Sequence, residues 1–402
     1  MPIIPNAMPT TTTSVSVKAA DNTQRKFLYA ITALGLGAFA IGTGEFAMMG
    51  LLPEVAKDLA VSIPEAGHVV SAYAFGVVIG APMFAVLTAS WPRRTLLIAL
   101  ILLFAAGNFA GTLTSDFLSL NILRFIAGLP HGAYFGVATL VAANMVAPQK
   151  RATAVGLVIL GLTSSTLLGV PAATWLGQAW GWQAAYVFVA SLAVISSVAV
   201  YFAVPAMAAA KNANPGSELA ALANKQVWLT LGIGAVGFGG MFAVFSYIKP
   251  ILTEVTHMSA GVIPLILSLF GVGMVVGSML GARLADKNLL RSIVVLLLWN
   301  AVVLGGVSFA MAYTISAIIW VFLLGTLVAI GPALQIRLMD VAGEAQTLAA
   351  ALNHSAFNIA NALGAWLGGV VITMGYGWTS TGWLGALLAL GGLAVFGLSI
   401  KK

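Results

Sequence analysis

The sequence predicts an all-α membrane protein with twelve transmembrane helices in two pseudo-symmetric six-helix bundles, both termini cytoplasmic. Three observations lead there. First, 60% of the 402 residues are hydrophobic and only 7% are charged, whereas a soluble domain carries about 25% charged residues. Second, the apolar residues fall into twelve runs, each near the ~20 residues needed to cross a bilayer core. Third, the two halves of the chain repeat each other at one constant offset of 197 residues.

Residues 1–25 are rich in Thr, Ser, Pro and Asn and contain no apolar run, so they read as a disordered cytoplasmic tail. They lack the apolar region and cleavage site of a secretory leader. The runs follow at 27–52, 66–88, 95–115, 117–146, 152–176, 183–205, 227–251, 262–284, 289–312, 314–337, 347–374 and 379–400. Each is continuously apolar rather than alternating. Backbone groups in lipid must bond internally, so such runs are helices rather than barrel strands.

Orientation follows from the basic residues, which favour the cytoplasmic side. With the N-terminus inside, 15 of the 18 Lys and Arg fall in inner breaks. Lys57 and Lys249 fall in outer breaks, and Arg124 lies within a span. An even number of spans returns the C-terminus to the inside.

The longest internal break, 206–225, is a cytoplasmic linker between bundles at 26–205 and 226–402. The offset of 197 pairs Gly37 with Gly234, Gly42 with Gly239 and Pro53 with Pro250. It also pairs Gly76 with Gly273, Gly80 with Gly277 and Gly128 with Gly325. Parallel repetition of six helices is an architecture of rocking transporters.

Composition excludes several classes. The net charge of +7 is spread over short breaks rather than clustered, which argues against nucleic acid. With no cysteine there is no disulfide framework, thiolate site or cysteine nucleophile. The four histidines have no metal-ligand spacing. A Walker-type loop, which ATP-driven export would need, does not occur.

Several segments now resemble the major facilitator superfamily. After span 8 the chain reads Gly277, Gly281, Arg283, Asp286, Lys287. This is similar to the superfamily's glycine, aspartate and basic loop motif. The first half keeps Gly80, Arg93 and Arg94 but has Ala89 where Asp286 stands in the second. These residues imply an inner conformational latch, with a second one at Arg337 and Asp340 beside Gln335 and Glu344. Span 5, with Gly161, Gly169, Pro171 and Gly177, resembles the helix-bending motif of the antiporter branches and points to efflux. Gly42 to Phe46, Gly50 to Pro53, His131 to Gly136 and Asn353 to Asn361 together resemble the twelve-span drug:proton antiporter branch, arabinose-efflux-permease-like.

A charge inside a span is costly unless it is partnered, so it is a functional candidate. Glu45 is the acidic residue well inside a span, and Arg124 in span 4 lies at similar depth. They form the proton-coupling pair in one reading and a static ion pair in the other. His131 follows Arg124 by seven residues, on nearly the same helix face. It binds substrate or relays protons, or else bonds a backbone carbonyl. Asn358 and Asn361 share a polar face of span 11 with His354; they contact substrate or bond between helices. Tyr73, Tyr134, Phe242, Tyr247 and Met48 are further candidates for substrate contact, with plain packing as the alternative.

The resemblance implies a secondary active transporter in a bacterial inner (plasma) membrane. It implies proton-coupled efflux of small organic molecules such as drugs or sugars, by alternating access. It further implies a monomer without cofactor or metal, surrounded by lipid, that draws on the proton gradient. A purine nucleoside or other metabolite exporter or uniporter of the same fold is the alternative. A non-transporting membrane sensor is more distant, because the soluble segments are short. No nucleophile–base or metalloprotease spacing supports an enzyme.

Overall fold

In the computed structural model every one of the twelve apolar runs is helical. The structure describes residues 11–88, 90–147, 151–207, 223–342 and 346–400. Ala89, Glu344, most of the 206–225 linker and residues 1–10 of the tail lie outside the described residues.

The spans are α1 (Gln24–Gly50), α2 (Ile63–Phe84), α3 (Arg93–Gly111), α4 (Phe117–Asn144), α5 (Ala154–Trp180) and α6 (Trp182–Ala203). The second half holds α7 (Lys225–Phe245), α8 (Ala260–Lys287), α9 (Leu289–Ala310), α10 (Thr314–Ala342), α11 (Leu352–Tyr376) and α12 (Ser380–Ile400). The helix that contains α1 begins at Thr11, inside the segment read as a disordered tail. Between Pro9 and Phe27 there is no proline or glycine, and extending a nucleated helix costs little.

Several helix starts are written locally in the sequence. Ser62 and Glu65 form a capping box ahead of α2, with the Ser62 N–H donating to Glu65 Oε2 at 2.8 Å. Asp116 caps α4 by accepting from the Ser119 N–H at 2.9 Å. Asn288 caps α9 in the same way from Arg291. These caps satisfy backbone donors that the helices themselves cannot.

The internal repeat reappears as packing. A Cβ on Gly76 would strike the Phe125 carbonyl and crowd Gly128, so α2 and α4 touch backbone to backbone. In the second half a Cβ on Gly273 would strike the Phe322 carbonyl and crowd Gly325, joining α8 to α10. Every one of these positions is related by the offset of 197. Small residues permit this approach, which drives helix association in lipid by close packing.

Across the halves, α2 runs along α11 and α5 along α8. Ser71 Oγ donates to the Ala362 carbonyl at 3.1 Å on the first of these seams. One buried cluster belongs to the first half, with Leu34, Ile41, Leu97, Phe104 and Phe135 among its members. A larger one joins both halves near their outer ends and includes Phe46, Met48, Val55, Phe242, Tyr247, Ile251 and Phe270. Exposed Trp91, Tyr201 and Trp228 lie at inner helix ends, and exposed Trp180, Tyr313 and Tyr376 at outer ends. Such aromatic belts sit at the two bilayer interfaces.

Candidate functional site

Glu45 lies in the Gly42-Thr43-Gly44-Glu45 segment of α1. Gly42 faces Ser165 of α5, and Gly44 faces Phe104 of α3 and Val189 of α6. The glycines draw neighbouring helices close and bury Glu45 to 5% exposure. Asn361 of α11 donates from Nδ2 to Glu45 Oε1 at 3.3 Å. The carboxylate of the first half is thus held by an amide of the second.

Arg124 is 2% exposed. Its Nη1 donates to the Gly44 carbonyl at 3.2 Å and its Nε to the Val69 carbonyl at 3.3 Å. The guanidinium also sits 4.3 Å from the centre of the Tyr73 ring, a cation–π contact. The sequence suggested a direct pair between Arg124 and Glu45. Among the described residues Arg124 instead bonds the backbone of Gly44, next to Glu45. The two carbonyls and the Tyr73 ring hold the guanidinium flat, and its charge acts on Glu45 through space.

From Tyr73 the contacts continue inward. The Tyr73 hydroxyl and His131 Nδ1 are hydrogen-bonded at 3.0 Å, so Nδ1 of His131 is tied to a side chain rather than to a backbone carbonyl. His131 lies 5.2 Å from the ring of Phe135. Phe135 in turn stacks on His354 of α11 at 5.8 Å, again across the halves. Asn358 donates from Nδ2 to the His354 carbonyl at 3.0 Å. Arg124 Nη2, Asn358 Oδ1 and Asn361 Oδ1 are buried and have no hydrogen-bond partner among the described residues. A buried polar atom without a partner is costly, so a further hydrogen-bonding group at these atoms would be favourable.

The structure separates the other candidates. Tyr134 donates to the Leu34 carbonyl at 3.0 Å and Tyr247 to the Ala365 carbonyl at 2.8 Å. Both hydroxyls tie one helix to another. Phe242 stacks on Phe46 at 6.4 Å and stands edge-on to Phe238 at 5.4 Å, in an aromatic wall between the halves. Met48 is buried in the outer cluster. The polar set has no counterpart in the repeat: at the offset of 197, Glu45, Tyr73, Arg124 and His131 correspond to Phe242, Phe270, Val321 and Val328.

The expected inner latches take a different form. Arg283, Asp286 and Lys287 are exposed and make no ion pair among the described residues. An exposed pair in water gains little, so these charges stay solvated. Gly277 and Gly281 do pack, against the backbones of Thr326 and Ala329 in α10. The Arg93 N–H donates to the Met207 carbonyl. Arg94 reaches the Val204 carbonyl at 3.5 Å and the Tyr201 ring at 5.6 Å, all within the first half. Arg337 donates to Ser399 Oγ at 2.9 Å and lies 5.3 Å from the Phe396 ring, joining α10 to α12. Asp340 is exposed.

In α5 the bend is a π turn at Ser165–Gly169. Pro171 follows within two residues; it lacks an N–H and crowds the preceding turn, which a wider turn relieves. Gly161, Gly169 and Gly177 face Gly35, Thr43 and Leu51 respectively, so the motif seats α5 along α1.

One contact escaped the sequence reading. Lys249, at the outer end of α7, forms an ion pair with Glu54 from the short helix after α1. The only hint was that both residues flank the repeat-related prolines Pro53 and Pro250.

Two six-helix halves with a buried ionisable seam define a membrane transporter. A family model described as the Major Facilitator Superfamily matches residues 34–287 and again residues 230–401. The chain is 39% identical over 378 residues to the inner membrane transport protein YdhP of Escherichia coli (strain K12), covering 94% of this chain and 97% of YdhP. It is 33% identical over 374 residues to a chloramphenicol resistance protein of Streptomyces lividans, covering 91% and 94%. The crystal structure of a bacterial homologue of the human lysosomal transporter Spinster superposes with a TM-score of 0.75 at 15% identity, covering 93% and 97%, a likeness of fold. The chain belongs to the Major Facilitator Superfamily. It is a multi-pass inner-membrane transporter of the efflux type, and not an enzyme.

Proposed function

We propose that the chain exports small organic molecules in exchange for protons, by rocking its two halves around a site at the bilayer midplane. One observation carries this reading: Glu45 is an ionisable group buried on the seam, bonded by Asn361 of the opposite half. Its protonation state therefore bears on how the halves hold together. An ionised carboxylate accepts a charge-assisted bond from the amide, roughly twice as strong as a neutral one. A protonated carboxyl weakens that bond and offers a hydroxyl to the unpartnered Asn361 Oδ1. Glu45 is the proton site in this account, and Arg124 sets its affinity.

Tyr73, His131, Asn358 and Asn361 supply polar contacts to substrate, and Phe242 supplies an apolar one. Tyr134 and Tyr247 position helices through their carbonyl bonds. The transporter works as a monomer with no cofactor, drawing on the proton gradient. Export of drugs is favoured by the relative named for chloramphenicol resistance, because a transporter confers resistance by removing the compound.

The test uses purified protein in liposomes with a trapped pH dye. A pH gradient is imposed, and chloramphenicol, other drugs, pentoses and hexoses are added in turn. A compound that dissipates the gradient only when the protein is present is the expected result. A compound that exchanges against its radiolabelled form yet never moves protons contradicts the proposal.

A further inference from the structure

The outer ends of α1 and α7 carry a contact that neither the proton site nor the substrate seam uses. The pair forms between the Lys249 ammonium and Glu54 Oε1. Lys249 belongs to the second half and is 3% exposed. Glu54 belongs to the first half, and its side chain is 27% exposed. A second carboxylate oxygen, Glu54 Oε2, is buried without a partner among the described residues.

The surroundings are an apolar seal. Phe46 stacks on Phe242 at 6.4 Å and meets Phe245 edge-on at 6.2 Å. Phe245 stacks on Phe270 at 3.8 Å. Gly50 of α1 lies against Leu267 of α8, and Gly67 lies against the Tyr247 hydroxyl. Asp58, one turn beyond Glu54, bonds Trp182 at 2.8 Å and Gln183 at 3.0 Å, both in its own half. Asp58 therefore braces one half, whereas Glu54 reaches across to the other.

The repeat places the pair near the pseudo-symmetry axis. Pro53 and Pro250 correspond at the offset of 197, with Glu54 just after the first and Lys249 just before the second. Any outward opening of the site must part these two helix ends.

We infer that Glu54 and Lys249 form an outer latch, an ion pair that holds the extracellular gate shut until the halves rock apart. The inference rests on alternating access and not on the choice of coupling ion. Its physics is asymmetric. A buried ion pair need not add net stability, but a buried charge stripped of its partner is strongly unfavourable. Losing Glu54 leaves the Lys249 ammonium in the seal. Opening the gate hydrates that ammonium, so the open state is favoured. Losing Lys249 leaves Glu54, whose side chain is 27% exposed against 4% for Lys249 although one of its carboxylate oxygens is buried, and has a smaller effect. Neutralising both removes the stranded charge and returns the balance toward closed.

The natural chain has no cysteine, so paired labels can be placed without background. Leu113 and Tyr313 are exposed, lie in the outer loops of opposite halves, and are 76% and 74% accessible. Leu113→Cys with Tyr313→Cys, spin-labelled in lipid nanodiscs, reports the width of the outer opening by pulsed electron resonance. Glu54→Gln is expected to raise the ratio of long to short distances by about tenfold. Lys249→Met should raise it less, and Glu54→Gln with Lys249→Met should bring it back toward the native ratio.

Two long-range populations in the native protein with the same ratio in folded Glu54→Gln overturn the latch. A native protein that never shows the long distance under any pH or substrate condition counts against alternating access itself, and the latch falls with it. Should Glu54→Gln fail to fold, the exchanged pair Glu54→Lys with Lys249→Glu decides. A native ratio supports the latch, and a lasting shift to the open population overturns it.

Discussion

Arg124 owes its position to planar geometry. It bonds two backbone carbonyls from different helices while its flat face lies on Tyr73. An ammonium is a point charge on a flexible stem and cannot reproduce a fork lying on a ring. Arg124→Lys keeps the charge and loses the geometry. Hydrogen bonds to charged groups are worth about 1.5–3 kcal/mol each, so this change is expected to slow proton-driven transport by at least about tenfold, with the protein still folded. Equal rates for the variant and the native protein in the liposome assay contradict that role. Charge alone would then suffice, and the carbonyl bonds would be incidental.

At the scale of helices, glycine marks where two backbones meet. Gly128 faces the Tyr73 carbonyl, and Gly325 faces the Phe270 carbonyl. A methyl at either position has only backbone to push against. Overpacking of this kind costs about 1–3 kcal/mol, so Gly128→Ala and Gly325→Ala should each lower Tm by several degrees in detergent. Gly156 is exposed with nothing within 4 Å of a Cβ. Gly156→Ala should leave Tm unchanged or raise it, since glycine within a helix costs roughly 0.5–1 kcal/mol relative to alanine. If all three variants melt alike, the backbone contacts are not what holds α2 to α4 and α8 to α10.

This level of the structure was readable in one dimension. A bilayer imposes length and hydropathy on every span, so twelve runs of about 20 residues mapped directly onto α1 to α12. The offset of 197 located the glycine contacts because both halves solve the same packing problem. What escaped was pairing between the halves. Nothing in the spacing of Glu45 and Asn361 says that α1 meets α11 at that depth. Positive-inside counting left Lys249 among the outer charges, yet it is buried against Glu54. The π turn at Ser165–Gly169 was signalled only by Pro171. The inner-loop charges differ: their pattern suggested a latch, and here Arg283, Asp286 and Lys287 are exposed and make no ion pair among the described residues.

For the whole molecule, the seam between halves is where every proposed function converges. The α2–α11 and α5–α8 contacts form its walls, the Glu54–Lys249 pair bridges its outer end, and Glu45 with Asn361 occupies its interior. The second half carries apolar residues at the positions matching Glu45, Tyr73, Arg124 and His131. The fold is therefore pseudo-symmetric while its polar chemistry is not: the first half supplies Glu45, Tyr73, Arg124 and His131, and the second answers from α11 with His354, Asn358 and Asn361. The buried carboxylate Glu45 and the guanidinium of Arg124 both belong to the first half. In the proposed exchange, coupling depends on Glu45, a buried carboxylate whose amide partner Asn361 sits on the opposite half.

The most direct test of that claim separates substrate movement from proton movement in one preparation. Native protein and Glu45→Gln are reconstituted in parallel, using a compound found active in the pH-dye assay. Counterflow of radiolabelled compound is measured without a gradient, and uphill transport is measured with a pH gradient. Glu45→Gln is predicted to retain counterflow and lose gradient-driven accumulation. Accumulation by Glu45→Gln at the native rate would contradict the account and place proton coupling elsewhere in the chain.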